Sequence, residues 1–260
     1  MSGVVNFEHG TLIHGQQNAF GTFDADIDES VCNARTNANL TLYVRINFVR
    51  VEPTAASNTY ADADGTNVPI RAWTDALWSR WKNRFVTECQ SKWSGKFWLK
   101  TPRTYNNLNW PESSPTHRCN LYCRFRVSEQ SSSQGAHAVI PVVRVNGNHF
   151  FRSHMLLYSS RDLRAERLTR GSLFYTHIHE IGHLIGLEHP GNSLPACTSG
   201  AESACYAAAD GNDQGVMGRG SRIYARHAQP WQKAAALLTS TRESDWTVSM
   251  RRAYPERLTS

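Results

Sequence analysis

Residues 179 to 189 read H-E-I-G-H-L-I-G-L-E-H. On a helix, His179 and His183 lie four positions apart and project from one face, so two neutral imidazoles can meet a single Zn2+ at about 2.0–2.1 Å. Glu180 is placed beside the first of them to take a proton from water at the metal rather than to bind the metal. Gly186 lets the chain leave the helix through a backbone conformation closed to most residues, and the turn returns His189 as a third ligand. Three protein ligands leave a fourth position open, which marks a catalytic rather than a structural zinc site. The bland reading, a buried amphipathic helix whose histidines are satisfied by hydrogen bonds, requires three histidines, a glutamate and a glycine to fall in register by chance.

The extended pattern H-E-x-x-H-x-x-G-x-x-H resembles that of the metzincin clan of zinc peptidases, and its continuation His189-Pro190-Gly191 is most similar to the serralysin type. The clan carries a methionine turn downstream. Met217, in G-V-M-G-R-G, is the only methionine between His189 and Met250. By the resemblance it forms a hydrophobic floor under the three imidazoles. The chain departs from the serralysins at Arg219, where they carry a tyrosine two residues after the methionine; the nearest tyrosine is Tyr224, and glycine-rich calcium repeats are absent. The likeness covers residues 165 to 235 and implies the clan.

That clan implies a Zn2+ cofactor, a protein or peptide substrate, and Glu180 as general base for water attacking the scissile carbonyl. A second donor to the oxyanion would come from Tyr224, Arg219 or a backbone amide. The rival class is a zincin core turned into a catalytically silent scaffold that binds or docks. An effector or toxin subunit, with this domain as its active part and the tail from Thr239 to Ser260 attached to a delivery or carrier partner, is compatible with the peptidase reading.

The elements that must position these residues are partly legible. Leu42, Val44, Ile46 and Phe48 alternate with other side chains and predict a strand over Leu40 to Val51. Trp73, Leu77, Trp81, Phe85, Cys89 and Trp93 recur every four residues and predict a long amphipathic helix ending at Gly95. Strands are expected at Lys96 to Lys100, Asn120 to Val127, Ala138 to Val145 and Phe150 to Tyr158. By the resemblance, the last is an antiparallel edge strand whose Met155 to Tyr158 line the substrate groove. The zinc helix is expected to start near Arg164 to Thr169 and stop at Gly186. His177 points to another face, as a surface residue or one supporting the ligands. Ala228 to Leu238, with Pro230 near its start, reads as a terminal helix.

The implied fold is α+β of the zincin type in a single domain over 1–260. A twisted, mostly parallel sheet with an antiparallel edge strand and two long helices would form an upper subdomain over about 1–188, with the zinc helix at about 165–186. A smaller irregular lower subdomain, about 189–260, would hold the turn at Met217 and the terminal helix. Residues 1 to 38, with acidic Asp24, Asp26, Asp28 and Glu29, read as a surface loop; Cys32 or Asp26 as a cap on the zinc is the weaker alternative.

Composition sets outer limits. The chain has 260 residues, 40% hydrophobic and 19% charged, with eight tryptophans, as a folded globular protein requires. Net charge is +6 and the pI about 9.1, but arginines are scattered without a block that would track a nucleic acid. No run is long and apolar enough to span a membrane. The N-terminus lacks a basic start followed by an apolar core, so a secreted or exported protein would be a mature form or a leaderless effector. Cys197 and Cys205 bracket a short loop that a disulfide would stiffen. Cys119 and Cys123, about 13 Å apart on a strand, are too far to bridge. Cys32 and Cys89 are left to pair or stay free, and a metal site on Cys119 and Cys123 lacks a second matching pair.

Overall fold

Alternating side chains build the sheet. The computed structural model describes residues 1–8, 20–33, 35–105, 107–108, 117–168, 172–192, 197, 202–206 and 214–257. An antiparallel hairpin of β1 (Ser2–Glu8) and β2 (Phe20–Asp28) leads into the central strand β3 (Ala38–Arg50). β3 buries Leu40, Leu42, Val44, Ile46 and Phe48 on one face, as a period of two dictates. It pairs with β2 antiparallel over 39–43, and in parallel with β8 (Leu121–Glu129) over 38–46 and β9 (Ala138–Val143) over 46–50. The three-residue strands β4 (Thr59–Ala61) and β5 (Asn67–Pro69) form a separate hairpin. β6 (Trp98–Lys100) closes antiparallel on β8, and β10 (Tyr158–Ser159) extends β9 in parallel.

The sheet is therefore mixed rather than mostly parallel. The acidic stretch expected as a surface loop lies in β2. Asp24 and Asp26 pair with Tyr43 and Thr41, while Phe23, Ala25 and Ile27 point into the core. The edge strand expected over 150–158 is a second correction. His154 and Leu157 exchange backbone hydrogen bonds across a tight turn, Met155 and Leu157 are buried, and only Tyr158–Ser159 joins the sheet, in parallel. These side chains fill the core instead of lining a groove.

Helix α1 (Asp75–Trp93) forms as its four-residue spacing predicts, burying Trp81, Phe85, Cys89 and Trp93. The Thr74 hydroxyl caps it by accepting from Leu77 N at 3.3 Å. Gly95 turns the chain out at φ 70°, where an added Cβ would overlap the Tyr122 hydroxyl. Helix α3 (Gln229–Thr239) starts on Pro230 and packs Trp231, Ala234 and Ala235 inward. The tail is part of the fold: β13 (Thr247–Ser249) adds antiparallel to β6, and β14 (Glu256–Arg257) pairs with β7 (His117–Arg118).

Two disulfides are present, Cys32–Cys119 and Cys197–Cys205; Cys89 and Cys123 are buried thiols. The first bridge engages Cys32 and removes it as a zinc cap. It also takes Cys119 from any metal pair with Cys123. No described helix is long and apolar enough to cross a membrane.

Candidate metal centre

The helix that carries the motif is α2 (Thr176–Leu184). It starts some ten residues later than expected, because Glu166–Arg167 (β11) pairs instead with Leu173–Phe174 (β12) as two short antiparallel strands. Of the two long helices expected, only α1 is long. Three side chains of α1 seat α2: Trp93 Nε1 donates to Ile178 O at 3.2 Å, Cys89 Sγ to His177 O at 3.9 Å, and Glu88 meets His177. The helix ends as the sequence predicts. Gly186 has φ 93°, its N–H donates to His183 O at 2.9 Å, and Leu187 N donates to Gly182 O at 2.9 Å.

His179 and His183 are buried and His189 half-buried, and the three form the one metal-compatible cluster among the described residues. Their Nε2 atoms stand 3.1 Å (179 to 183), 3.0 Å (179 to 189) and 3.0 Å (183 to 189) apart. Proton positions follow from the other ring nitrogens. His179 Nδ1 lies 2.8 Å from Val216 O and His183 Nδ1 2.7 Å from Leu187 O. A carbonyl can only accept, so both Nδ1 atoms carry the proton and both neutral rings turn bare Nε2 lone pairs toward one point. Burial holds His179 down to about 4, which keeps it neutral. Facing lone pairs repel unless a cation sits between them. Tetrahedral zinc with Zn–N near 2.0–2.1 Å places its nitrogens about 3.3 Å apart, close to what is found, so the residues fit a divalent metal.

Glu180, the residue after His179, is half-buried. Burial and the charge of Asp162 push its carboxyl well above the usual range, against a smaller pull from Arg152. Asp162 is itself buried and pushed up to about 6 by desolvation, although it accepts from Ser153 Oγ (2.6 Å), Ser159 N (2.6 Å) and Ser159 Oγ (2.9 Å). His177 is not at the surface. It is fully buried, with Nδ1 2.8 Å from Asp162 O and Nε2 2.9 Å from Glu88 Oε2, and it anchors the base of α2.

Met217 is buried, and its sulfur packs against α2 at Gly182. Val216, the preceding residue, supplies the carbonyl that fixes His179. Arg219 is exposed and its carbonyl accepts from Ser172 Oγ at 3.0 Å, which ties the turn to the stretch entering β12. Tyr224 packs on His227 with ring centroids 5.8 Å apart, and the Arg226 guanidinium lies 4.9 Å above its ring.

The aromatic residue on the ligands that sequence reasoning missed is Tyr206. Its ring lies 4.2 Å from that of His189 and 5.8 Å from that of His179, and burial raises its hydroxyl to about 12. The only available signal was its place next to Cys205. Phe174 of β12, also missed, packs on His179 with ring centroids 5.1 Å apart. A scan against protein-family models, a search of curated proteins and a search of solved structures each return no match.

Proposed function

We propose that the chain is a zinc-dependent endopeptidase of metzincin type that hydrolyses peptide bonds in protein or peptide substrates. The observation that carries this reading is the convergence of three Nε2 atoms on one point, with Glu180 following the first ligand in sequence. Zinc held by three neutral imidazoles supplies Lewis acidity, which polarises a carbonyl and lowers the pKa of water. The carbonyls of Val216 and Leu187 hold two of the rings in the ligating tautomer. Glu180 would take a proton as water attacks and hand it to the leaving amine. Met217 supports α2 from below.

A second reading is a catalytically silent, metal-holding scaffold that binds or docks, and the three-histidine cluster taken alone supports it better than it supports turnover. Glu180 separates the two. Profiling cleavage of a peptide library, with Glu180→Ala and chelator-treated protein as blanks, decides between them. Cleavage by the zinc-loaded protein alone supports the peptidase; identical profiles in all three samples favour the module.

Two disulfides agree with a secreted or exported protein. A delivery or carrier partner would meet the exposed side chains of Met250 and Tyr254. Met250→Ser with Tyr254→Ser tests this, since a truncation from Thr239 would also strip β13 from the sheet.

A further inference from the structure

His189 is the one ligand that α2 does not hold. His179 and His183 project from the helix, whereas His189 lies five residues beyond Leu184, its last residue. A second segment holds it in place. Gly191 N donates to Cys205 O at 2.8 Å, and Asn192 N donates to His189 O at 3.2 Å, giving the stretch 189–192 a fixed turn against Cys205. Cys197 Sγ lies 3.9 Å from Asn192 Oδ1. The Tyr206 ring, next in sequence to Cys205, covers His189 at 4.2 Å. The Cys197–Cys205 disulfide ties Cys205 to Cys197, with Cα atoms 4.8 Å apart.

We infer that the Cys197–Cys205 disulfide is a redox-sensitive lock on the metal site, with Tyr206 as the positioning residue through which it acts on His189. In the oxidised form the bridge keeps the Cys205 carbonyl and the Tyr206 ring against residues 189–192, so the third imidazole is pre-organised and metal binding bears no cost of ordering it. A dithiol reductant breaks the one S–S bond. Two electrons and two protons pass to Cys197 and Cys205 as thiols, and the reductant leaves as its own disulfide. Cys205 and Tyr206 are then free to move off residues 189–192, and metal affinity falls toward that of the two helical ligands.

The other bridge does not do this. Cys119 is fully buried and Cys32 nearly so, and no contact joins either to the ligand histidines among the described residues, whereas in the second bridge Cys197 is buried but Cys205 is half-buried. Linkage makes the effect reciprocal: by whatever factor reduction weakens zinc binding, bound zinc disfavours reduction by the same factor. Each tenfold is about 30 mV for this two-electron couple.

The test is a chelator-competition measurement of zinc Kd for wild type, Cys197→Ser/Cys205→Ser, Tyr206→Ala and Tyr206→Phe, with circular dichroism to confirm folding. The double serine variant and Tyr206→Ala are expected to weaken binding at least tenfold. Tyr206→Phe keeps the ring and is expected to stay within threefold of wild type. A folded double variant that binds zinc within twofold of wild type overturns the lock, and equal loss in Tyr206→Phe and Tyr206→Ala overturns the role of the ring. A second measurement needs no variant: thiol trapping read separately at Cys197 and Cys205 during titration with dithiothreitol in a zinc buffer. The midpoint should be about 30 mV or more lower with zinc bound; equal midpoints with and without zinc contradict the proposal. Neither measurement reads turnover, so both remain decisive whether or not the protein is a peptidase.

Discussion

A Cβ placed on Gly182 would overlap the sulfur of Met217 and come within 3.2 Å of the Trp93 ring. Helix α2, the methionine turn and α1 therefore meet at a point where no side chain fits. The glycine inside H-E-I-G-H has a packing reason as well as a place in a motif.

Gly182→Ala is accordingly expected to cost about 1–3 kcal/mol through overpacking, and Met217→Ala about 2–5 kcal/mol through the cavity it leaves. Combining them should cost less than the sum, because the space vacated by the sulfur accepts the new methyl group. Urea unfolding of the metal-free protein measures all three. Strict additivity would show that the two residues do not share the contact.

Each ligand histidine can be tested by metal content. His179→Ala, His183→Ala and His189→Ala should each lose tight zinc binding, whereas His177→Ala should lose stability through the Asp162 and Glu88 contacts and retain the metal. In wild type, free zinc at a hundred times Kd should stabilise the fold by about 2.7 kcal/mol, visible as a rise in melting temperature. Unchanged melting with saturating zinc would count against a metal bound by the native state.

The metal-free protein should lose stability as pH falls from 6.5 toward 4. Backbone amides donate into imidazole nitrogens at two partly buried sites, Arg45 N to His137 Nδ1 and Tyr224 N to His227 Nδ1, both at 3.1 Å. Those rings must stay neutral. Burial, aided by Arg45 and Arg226 respectively, lowers them from 6.5 to about 4 and about 3. A depressed histidine contributes stability that is complete above 6.5 and is lost as the unfolded chain takes up its proton below that value. Asp162 acts oppositely, since a carboxyl raised from 3.8 to about 6 loses stability as pH rises through that interval. His137→Asn and His227→Asn keep an acceptor near the Nδ1 position, and the double variant should flatten the acid limb of melting temperature against pH. An unchanged limb would place the proton uptake elsewhere.

The Cys32–Cys119 bridge spans 87 residues and joins the segment before β3 to the one before β8. Chain-entropy arguments give such a cross-link about 4–5 kcal/mol. Cys32→Ser/Cys119→Ser should lower stability by that order while leaving zinc affinity within a few-fold. A large loss of zinc affinity would mean that this bridge, too, reaches the metal centre.

The sequence was most legible where one local rule governs a long stretch. The four-residue spacing of Trp81, Phe85, Cys89 and Trp93 could only be a helix face, and the alternation in β3 only a strand. Gly186 was legible because a helix that must turn back needs a positive φ. Other parts depend on distant partners. The start of α2 is set by the pairing of Glu166–Arg167 with Leu173–Phe174, two residues a side, too short to carry a pattern. In β2, Phe23, Ala25 and Ile27 do alternate, but the intervening aspartates read more readily as loop. Tyr206 reaches His189 through a disulfide and a loop, and spacing along the chain encodes neither.

The central claim is that this centre hydrolyses peptides with Glu180 as its base. The most direct test loads wild type and Glu180→Gln with zinc, measures the zinc-to-protein ratio of each, and follows turnover of a peptide that wild type cleaves. The account predicts one zinc per chain in both and turnover at least a thousandfold lower in the variant, on the order expected for removal of a general base. Equal turnover in the two fully loaded proteins would contradict it.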